Sequence, residues 1–129
     1  MDIFITTVDP WKEPPLILVN TILPVLSVDY PFEKICCYVS DDGGSPLNFY
    51  AVLKAYEFAE KWVPFCRRFN IEPRAPMVYF NSRPHVLNES ESSVSWFNIG
   101  EWEELKVRIY NGVLCNYSYF IYNSYFIYI

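Results

Sequence analysis

The sequence predicts an α/β fold built on a parallel sheet, and two observations near its start carry this prediction. A run of β-branched and aromatic residues at positions 2–7 is typical of a buried strand, and a second apolar run follows at positions 35–39. Between them, the largely apolar segment 16–26 predicts a well-buried helix. Strand, helix and strand within about 40 residues is the size of a βαβ unit, which implies parallel strands and a right-handed crossover.

The composition limits the classes of protein to which this chain can belong. Its 129 residues are enough for one domain, and a hydrophobic fraction of 52% excludes a disordered chain. Ten Lys and Arg against fifteen Asp and Glu give a net charge of −5, which argues against binding to nucleic acid. The four cysteines include no C-x-x-C pair, and a single histidine cannot complete a zinc site. We therefore expect reduced, buried thiols and no disulfides.

Proline and polar residues mark the boundaries of the predicted elements. Asp9-Pro10 ends the first strand, and Pro14-Pro15 opens the first helix because early helical positions need no N–H partner. Pro24 is expected to kink or end that helix. Further along the chain, Ser45 is a suitable N-cap and Pro46 a suitable first residue for a second helix.

Apolar residues at steps of three and four predict that the second helix is amphipathic. Its apolar positions are Phe49, Val52, Tyr56, Ala59 and Val63, and its polar side carries Lys54, Glu57, Glu60 and Lys61. Pro64 is expected to end this helix, which leaves Arg67 and Arg68 just past its end, where positive charge is favourable.

The second half of the chain carries weaker signals. Residues 77–80 are compatible with a third strand, residues 88–93 predict a polar loop, and residues 101–108 predict a helix with acids first and bases last. Residues 112–129 contain five Tyr, two Phe and no charged residue. Three interpretations of this segment stay open: a membrane-associated segment, an added strand, and a tail with no evolved role.

The run Asp41-Asp42-Gly43-Gly44 is the most informative local feature, because it follows the second predicted strand. Ligands of open α/β sheets bind outside the carboxyl ends of the strands, where a carboxylate can accept hydrogen bonds from a ribose hydroxyl or a base N–H. The same four residues are also an ordinary turn before a helix, and both interpretations stay open. Lys12 and Glu13 follow the first strand and face the same crevice, where Lys12 is either a phosphate ligand or a solvated charge.

Several blocks of the sequence, in order, resemble the start of the catalytic domain of plant cellulose synthases and cellulose synthase-like proteins. The longest are FITTVDPWKEPP at 4–15, VDYP at 28–31, CYVSDDG at 37–43, KWVPFC at 61–66 and NIEPRAP at 70–76. The resemblance covers about residues 2–83 and resumes faintly with EELKVRI at 103–109. Residues 1–83 are accordingly expected to be the UDP-binding part of the domain. Residues 84–111 are expected to be the remnant of a plant-specific insertion, and residues 112–129 an unmatched aromatic tail.

The resemblance implies a partial GT-A, Rossmann-like glycosyltransferase domain acting at the cytosolic face of the Golgi or plasma membrane. The family transfers sugar from a UDP-sugar, with Mg²⁺ or Mn²⁺, to a growing β-glycan. By resemblance, Thr7 and Asp41 help to hold the uridine, with Asp42 adjacent, and Lys12 and Glu13 line the same donor pocket. Metal ligands and catalytic residues are expected to lie outside this chain.

The departures from the family pattern shape the functional expectation. The family uses an Asp-x-Asp, a Thr-Glu-Asp and a Gln-x-x-Arg-Trp motif, whereas this sequence has no Asp after Asp42 and no Gln. Met1 stands where the family's chain would emerge from its first membrane helices. We therefore expect a synthase fragment that binds UDP-sugar weakly and is inactive alone. The alternatives are a non-catalytic partner of full-length synthases and an independent small nucleotide-binding domain.

Overall fold

The computed structural model describes residues 1–82, 99–114 and 125–128, with side chains for residues 1–82 and 100–109. These residues form an α/β arrangement, as predicted. The elements in chain order are β1 (Asp2–Thr7), α1 (Pro15–Leu26), a short 3₁₀ turn (Phe32–Lys34), β2 (Cys36–Asp41), α2 (Pro46–Arg68), α3 (Pro76–Ser82), α4 (Ile99–Leu114) and β3 (Tyr125–Tyr128).

The sheet has the order β1-β2-β3, with β2 in the centre. β1 and β2 are parallel, and their register pairs Asp2 with Cys36 and Thr7 with Asp41. This confirms the predicted βαβ unit. β3 pairs with β2 in the antiparallel sense. Of the three interpretations of the aromatic segment, the added strand therefore holds for residues 125–128. None of the helices in the described ranges is both long and apolar enough to cross a membrane.

Two prolines lie within helices, beyond the first turn where proline is readily accommodated. α1 continues through Pro24 to Leu26, so that proline occupies the last turn. The prediction that Pro64 ends the second helix is wrong, because α2 continues to Arg68. Trp62 and Cys66, which flank Pro64, are both fully buried, and this packing outweighs the hydrogen bond that proline removes.

The buried face of α2 is also rotated from the predicted one. Phe49 and Tyr56, predicted to face the core, are exposed. The residues that face the core are Asn48, Ala51, Val52, Ala55, Phe58, Ala59, Trp62, Phe65 and Cys66. Small alanines let the helix approach its neighbours closely, which a search for large apolar residues overlooks.

The expected third strand at residues 77–80 is wrong, since this segment belongs to α3. The Tyr79 N–H donates to the Ala75 carbonyl at 2.9 Å, and the Met77 N–H donates to Asn20 Oδ1 at 2.9 Å. Pro76 begins the helix at a position where no N–H is needed. The strand-like composition is explained by burial against Trp62 instead, with the Tyr79 ring 5.5 Å away.

Aromatic side chains around Trp62 form the larger hydrophobic core. Trp62 is fully buried, and its indole N–H donates to the Arg74 carbonyl at 3.0 Å. Its ring neighbours are Phe58, Phe65, Tyr79 and Phe80. α4 packs against this cluster through Trp102, Leu105 and Ile109, which confirms the helix predicted at 101–108.

Arg74 ties the loop before α3 to the end of α1. Its guanidinium is nearly buried and donates to the carbonyl oxygens of Ser27 and Ile71, the latter at 3.3 Å, and to Glu72 Oε1 at 2.9 Å. A buried cation with several acceptors is a strong structural link, because its removal leaves those acceptors unpaired.

Cys36, Cys37 and Cys66, which lie in the described part of the chain, form no disulfide bond there. Cys37 and Cys66 are buried and Cys36 is half-buried. Burial raises the pKa of Cys37, and it raises the pKa of Cys66 to about 12, so both thiols stay protonated at neutral pH. Cys115 and the loop predicted at 88–93 lie outside the described residues.

The contacts of α4 lead to a first prediction. Trp102 is 1% exposed, so Trp102→Ala should lower the free energy of unfolding by about 3–5 kcal/mol, because it empties a large buried site. Val107→Ala is the matched control on the same helix, since Val107 is exposed, and should change stability by no more than about 0.5 kcal/mol. Urea denaturation followed by tryptophan fluorescence and circular dichroism tests this. Equal losses in the two variants would contradict the docking of α4.

Candidate functional site

The loops that follow β1 and β2 meet at one edge of the sheet, because the two strands are parallel and end opposite each other. Thr7 and Asp41 are register partners, and the Asp42 N–H donates to the Thr7 carbonyl at 3.0 Å. Gly43 lies so close to the first loop that a Cβ there would be 2.4 Å from the Val8 carbonyl oxygen. Glycine is therefore required at position 43 for this approach.

Asp41 is the buried carboxylate of this edge. It has no exposed surface, and its Oδ1 accepts from the Gly43 N–H at 3.1 Å. Its Oδ2 accepts from the Ser45 N–H at 2.8 Å and from Asn48 Nδ2 at 3.2 Å. These bonds replace lost water and bind the carboxylate to the N-terminus of α2, where negative charge is favourable.

Ser45 and Asn48 complete the start of α2. Ser45 is the N-cap, as predicted, and its hydroxyl accepts from the Asn48 N–H at 3.5 Å. Asn48 is 1% exposed, and its Oδ1 is buried without a hydrogen-bond partner. Sequence reasoning missed this residue. The available signal was a polar side chain three positions after the N-cap and one turn before the apolar Val52.

On the facing loop, Glu13 fastens the end of β1. Its Oε2 accepts from the Thr7 hydroxyl at 2.7 Å and from the Val8 N–H at 3.1 Å. These two bonds lower the pKa of Glu13 below its ordinary value, with the Thr7 bond the larger cause. The loop between Thr7 and Glu13 is closed by the Glu13 N–H, which donates to the Asp9 carbonyl at 2.8 Å.

The five residues singled out from the sequence therefore fall into two groups. Thr7, Glu13 and Asp41 form the hydrogen-bonded framework of the edge, with the buried Thr7 bonded to Glu13 and lying opposite the buried Asp41. Lys12 and Asp42 lie outside this framework and are exposed, as is the Glu13 residue itself. No hydrogen bond or ion pair within the described ranges joins the Lys12 ammonium to the Asp42 carboxylate. The edge therefore exposes the Lys12 ammonium and the Asp42 carboxylate, together with Glu13, whose carboxylate accepts from Thr7 and Val8.

The described residues do not offer a set of ligands for the divalent cation that the resemblance implies. Across residues 1–82 and the described part of α4, no three His, Cys, Asp or Glu side chains cluster closely enough to hold a metal ion. Asp41, the buried carboxylate, is committed to amide donors rather than to a cation.

Comparison with known proteins identifies the class to which this fold and this edge belong. The sequence profile named for cellulose synthase matches residues 1–116. The chain belongs to the cellulose synthase family.

Individual relatives agree with this assignment. The chain is 49% identical over 118 residues to cellulose synthase A catalytic subunit 1 (UDP-forming) of Arabidopsis thaliana, covering 84% of this chain and 10% of that protein. It is 52% identical over 114 residues to the probable cellulose synthase A catalytic subunit 6 (UDP-forming) of Oryza sativa subsp. japonica, with the same two shares. It is 47% identical over 110 residues to cellulose synthase-like protein B4 of Arabidopsis thaliana, covering 84% of this chain and 15% of that protein. The chain thus spans between a tenth and a sixth of the length of these relatives.

The close approach of Gly43 generates a second prediction. Gly43→Ala should lower the free energy of unfolding by about 1–3 kcal/mol, because the methyl group must displace the backbone at Val8. Asp42→Ala, at the exposed neighbouring position, is the control and should change stability by about 0.5 kcal/mol or less. Thermal and urea denaturation measure both. A Gly43→Ala variant as stable as the parent would show that the two loops do not approach this closely.

The lowered pKa of Glu13 generates a third prediction. A depressed folded-state pKa means that the ionised carboxylate adds stability above the ordinary value of 4.5, and that this contribution is lost as the pH falls through the folded-state pKa. Glu13→Gln should therefore be less stable than the parent at neutral pH, and the difference should shrink below about pH 4.5. Denaturation midpoints between pH 3 and pH 7 test this. In a Thr7→Val background the pH dependence should weaken, and an unchanged dependence would contradict the assignment to the Thr7 bond.

Proposed function

We propose that this chain forms the donor-binding start of a GT-A glycosyltransferase domain that adds sugar from a UDP-sugar to a β-glycan of the plant cell wall. The observation that carries the proposal is the meeting of the two strand-end loops, in a chain of the cellulose synthase family. The carboxyl ends of parallel strands are where open α/β sheets bind ligands, and nucleotides are common among them. The names of the relatives describe UDP-forming enzymes, which supports a UDP-sugar as donor.

The five site residues take different parts in this proposal. The exposed Asp42 carboxylate accepts hydrogen bonds from a ribose hydroxyl or a base N–H, and the exposed Lys12 ammonium meets the diphosphate. Asp41 has no exposed surface, and it contributes to uridine binding by holding the loop that carries Asp42. Thr7 and Glu13 hold the facing loop in place.

The extent of each part is also a proposal. We assign residues 1–83 to donor binding and residues 84–111, which include most of α4, to a remnant of the plant-specific insertion. Residues 112–129 are assigned to an aromatic segment that is distinct in sequence, although its residues 125–128 pair with β2, and the family profile enters it only as far as residue 116. A cytosolic position at the Golgi or plasma membrane, and binding to full-length synthases, stay predictions.

Donor binding is separate from catalysis in this proposal. The sequence has no Asp after Asp42 and no Gln, so it holds none of the three motifs that the family uses for metal, base and acceptor. General-base assistance and electrostatic stabilisation of the leaving group supply much of the acceleration in group-transfer enzymes. The 129-residue chain is therefore proposed to bind the donor without polymerising sugar.

A titration with UDP tests the proposal. We expect a dissociation constant on the order of 1 mM, measured by ¹⁵N–¹H NMR on the full chain, with shifts concentrated at Val8, Asp42 and Gly43. Lys12→Ala should weaken binding several-fold, because it removes the charge that meets the diphosphate. Lys34→Ala is the matched control, since Lys34 is exposed but precedes β2 at the opposite end of the sheet. No UDP-dependent shifts, or equal losses in the two lysine variants, would overturn the proposal.

An activity assay forms the second arm of the same test. The purified chain, given radiolabelled UDP-glucose and Mn²⁺, is expected to incorporate no label into polymer above a protein-free blank. Polymer formed by the pure chain would overturn the separation of binding from catalysis, while leaving the binding result intact.

A further inference from the structure

We infer that Asn48 is a positioning residue, which acts on the donor-binding edge through Asp41. This inference rests on the proposed function and extends it to a residue on α2 that has no surface from which to touch a ligand. Asn48 is 1% exposed, and its Nδ2 donates to Asp41 Oδ2 at 3.2 Å. Its influence on a donor is therefore transmitted by the carboxylate that it holds.

The first argument is that a buried polar residue at position 48 destabilises the folded state. Asn48 lies on the buried face of α2, where the neighbouring buried positions are Ala51, Val52 and Ala55. Its Oδ1 is buried without a partner, and an unpaired buried acceptor destabilises the folded state. An apolar residue of similar size would avoid this cost. A local rule broken in this way points to a role beyond packing.

The second argument is that Asn48 Oδ1 is unpaired because the Asn48 amide is oriented to donate to Asp41. The amide has one donor end and one acceptor end, and only the donor end can face a carboxylate oxygen. Turning the amide over would place Asn48 Oδ1 against Asp41 Oδ2, which is repulsive. The orientation that satisfies Asp41 therefore leaves Oδ1 without a partner.

The third argument concerns what Asp41 does when it is held. The same oxygen that accepts from Asn48 also accepts from the Ser45 N–H at 2.8 Å, and the other oxygen accepts from the Gly43 N–H at 3.1 Å. These bonds span the loop that carries the exposed Asp42. Without the Asn48 amide, the carboxylate can rotate about its side-chain bonds, and the loop loses one of its fixed points. Asn48 thus sets the position of the loop that meets the donor.

The test compares two buried changes one turn apart on α2. Asn48→Leu removes the donor and the unpaired acceptor while keeping a side chain that branches at Cγ. Val52→Ala is the matched control, because Val52 is 1% exposed and belongs to the core beside Val39 rather than to the Asp41 contacts. For each full-length chain, the UDP dissociation constant is measured by NMR titration, together with the denaturation midpoint and the amide shifts of Gly43 and Ser45.

A positioning role predicts opposite patterns in these two variants. Whatever its effect on the denaturation midpoint, Asn48→Leu should move the Gly43 and Ser45 signals and weaken UDP binding about three- to tenfold, as the net loss of one typical hydrogen bond implies. Val52→Ala should lower the midpoint and leave the UDP affinity unchanged. Asn48→Asp, which keeps the shape but removes the donor, should weaken binding at least as much and decides the matter if Asn48→Leu does not fold.

The outcomes separate this inference from the proposed function. If the parent chain binds UDP and Asn48→Leu and Asn48→Asp bind it equally well, the positioning role is overturned and the donor site stands. If Val52→Ala weakens UDP binding as much as Asn48→Leu does, the effect is one of general stability and the role is likewise overturned. If the parent chain shows no UDP binding, the proposed function fails, and the inference about Asn48 fails with it.

Discussion

The buried carboxylate of Asp41 is the constraint on which the rest of the structure depends. A carboxylate with no exposed surface is tolerated only where hydrogen bonds replace the water it has lost. Here the N–H groups of Gly43 and Ser45 and the side-chain amide of Asn48 supply them. Because these donors come from the turn after β2 and from the first turn of α2, satisfying Asp41 determines where the helix begins and in which direction it leaves the sheet.

α2 connects this edge of the sheet to two hydrophobic clusters, a small one beside the sheet and the larger aromatic one around Trp62. Near its start, Val52 packs in the cluster that contains Val39 of β2 and Ile22 of α1. Three turns later, Trp62 is the centre of the aromatic cluster on which Trp102 of α4 rests. One continuous helix thus joins the strand-end loops to the packing of the last described helix. Beyond Trp62, the burial of Phe65 and Cys66 in the same cluster explains why α2 runs through Pro64 instead of ending there.

Features with a local cause were predictable from the sequence, and features decided by packing were not. The first strand and the Ser45 N-cap follow from residue preferences over a few positions, and both were found where the sequence predicted them. Residues 77–80 have the composition of a strand, yet the Asn20 side chain and the ring of Trp62 hold them as a helix. Such contacts are made by residues distant in the sequence, so no local sequence pattern predicts them.

The candidate site shows the same division between local and distant causes. The pairing of the strand ends was foreseeable, because parallel strands bring their carboxyl ends together and so place Thr7 beside Asp41. The different roles of the two aspartates follow from strand alternation, since Cys37, Val39 and Asp41 point inward and the next residue, Asp42, turns outward. What the sequence pattern did not reveal is the buried amide on α2 that holds the inner carboxylate. In the proposed site, the inner aspartate and its amide partner hold the loop that carries the outer aspartate, so a ligand of the outer one meets a loop whose position is already fixed.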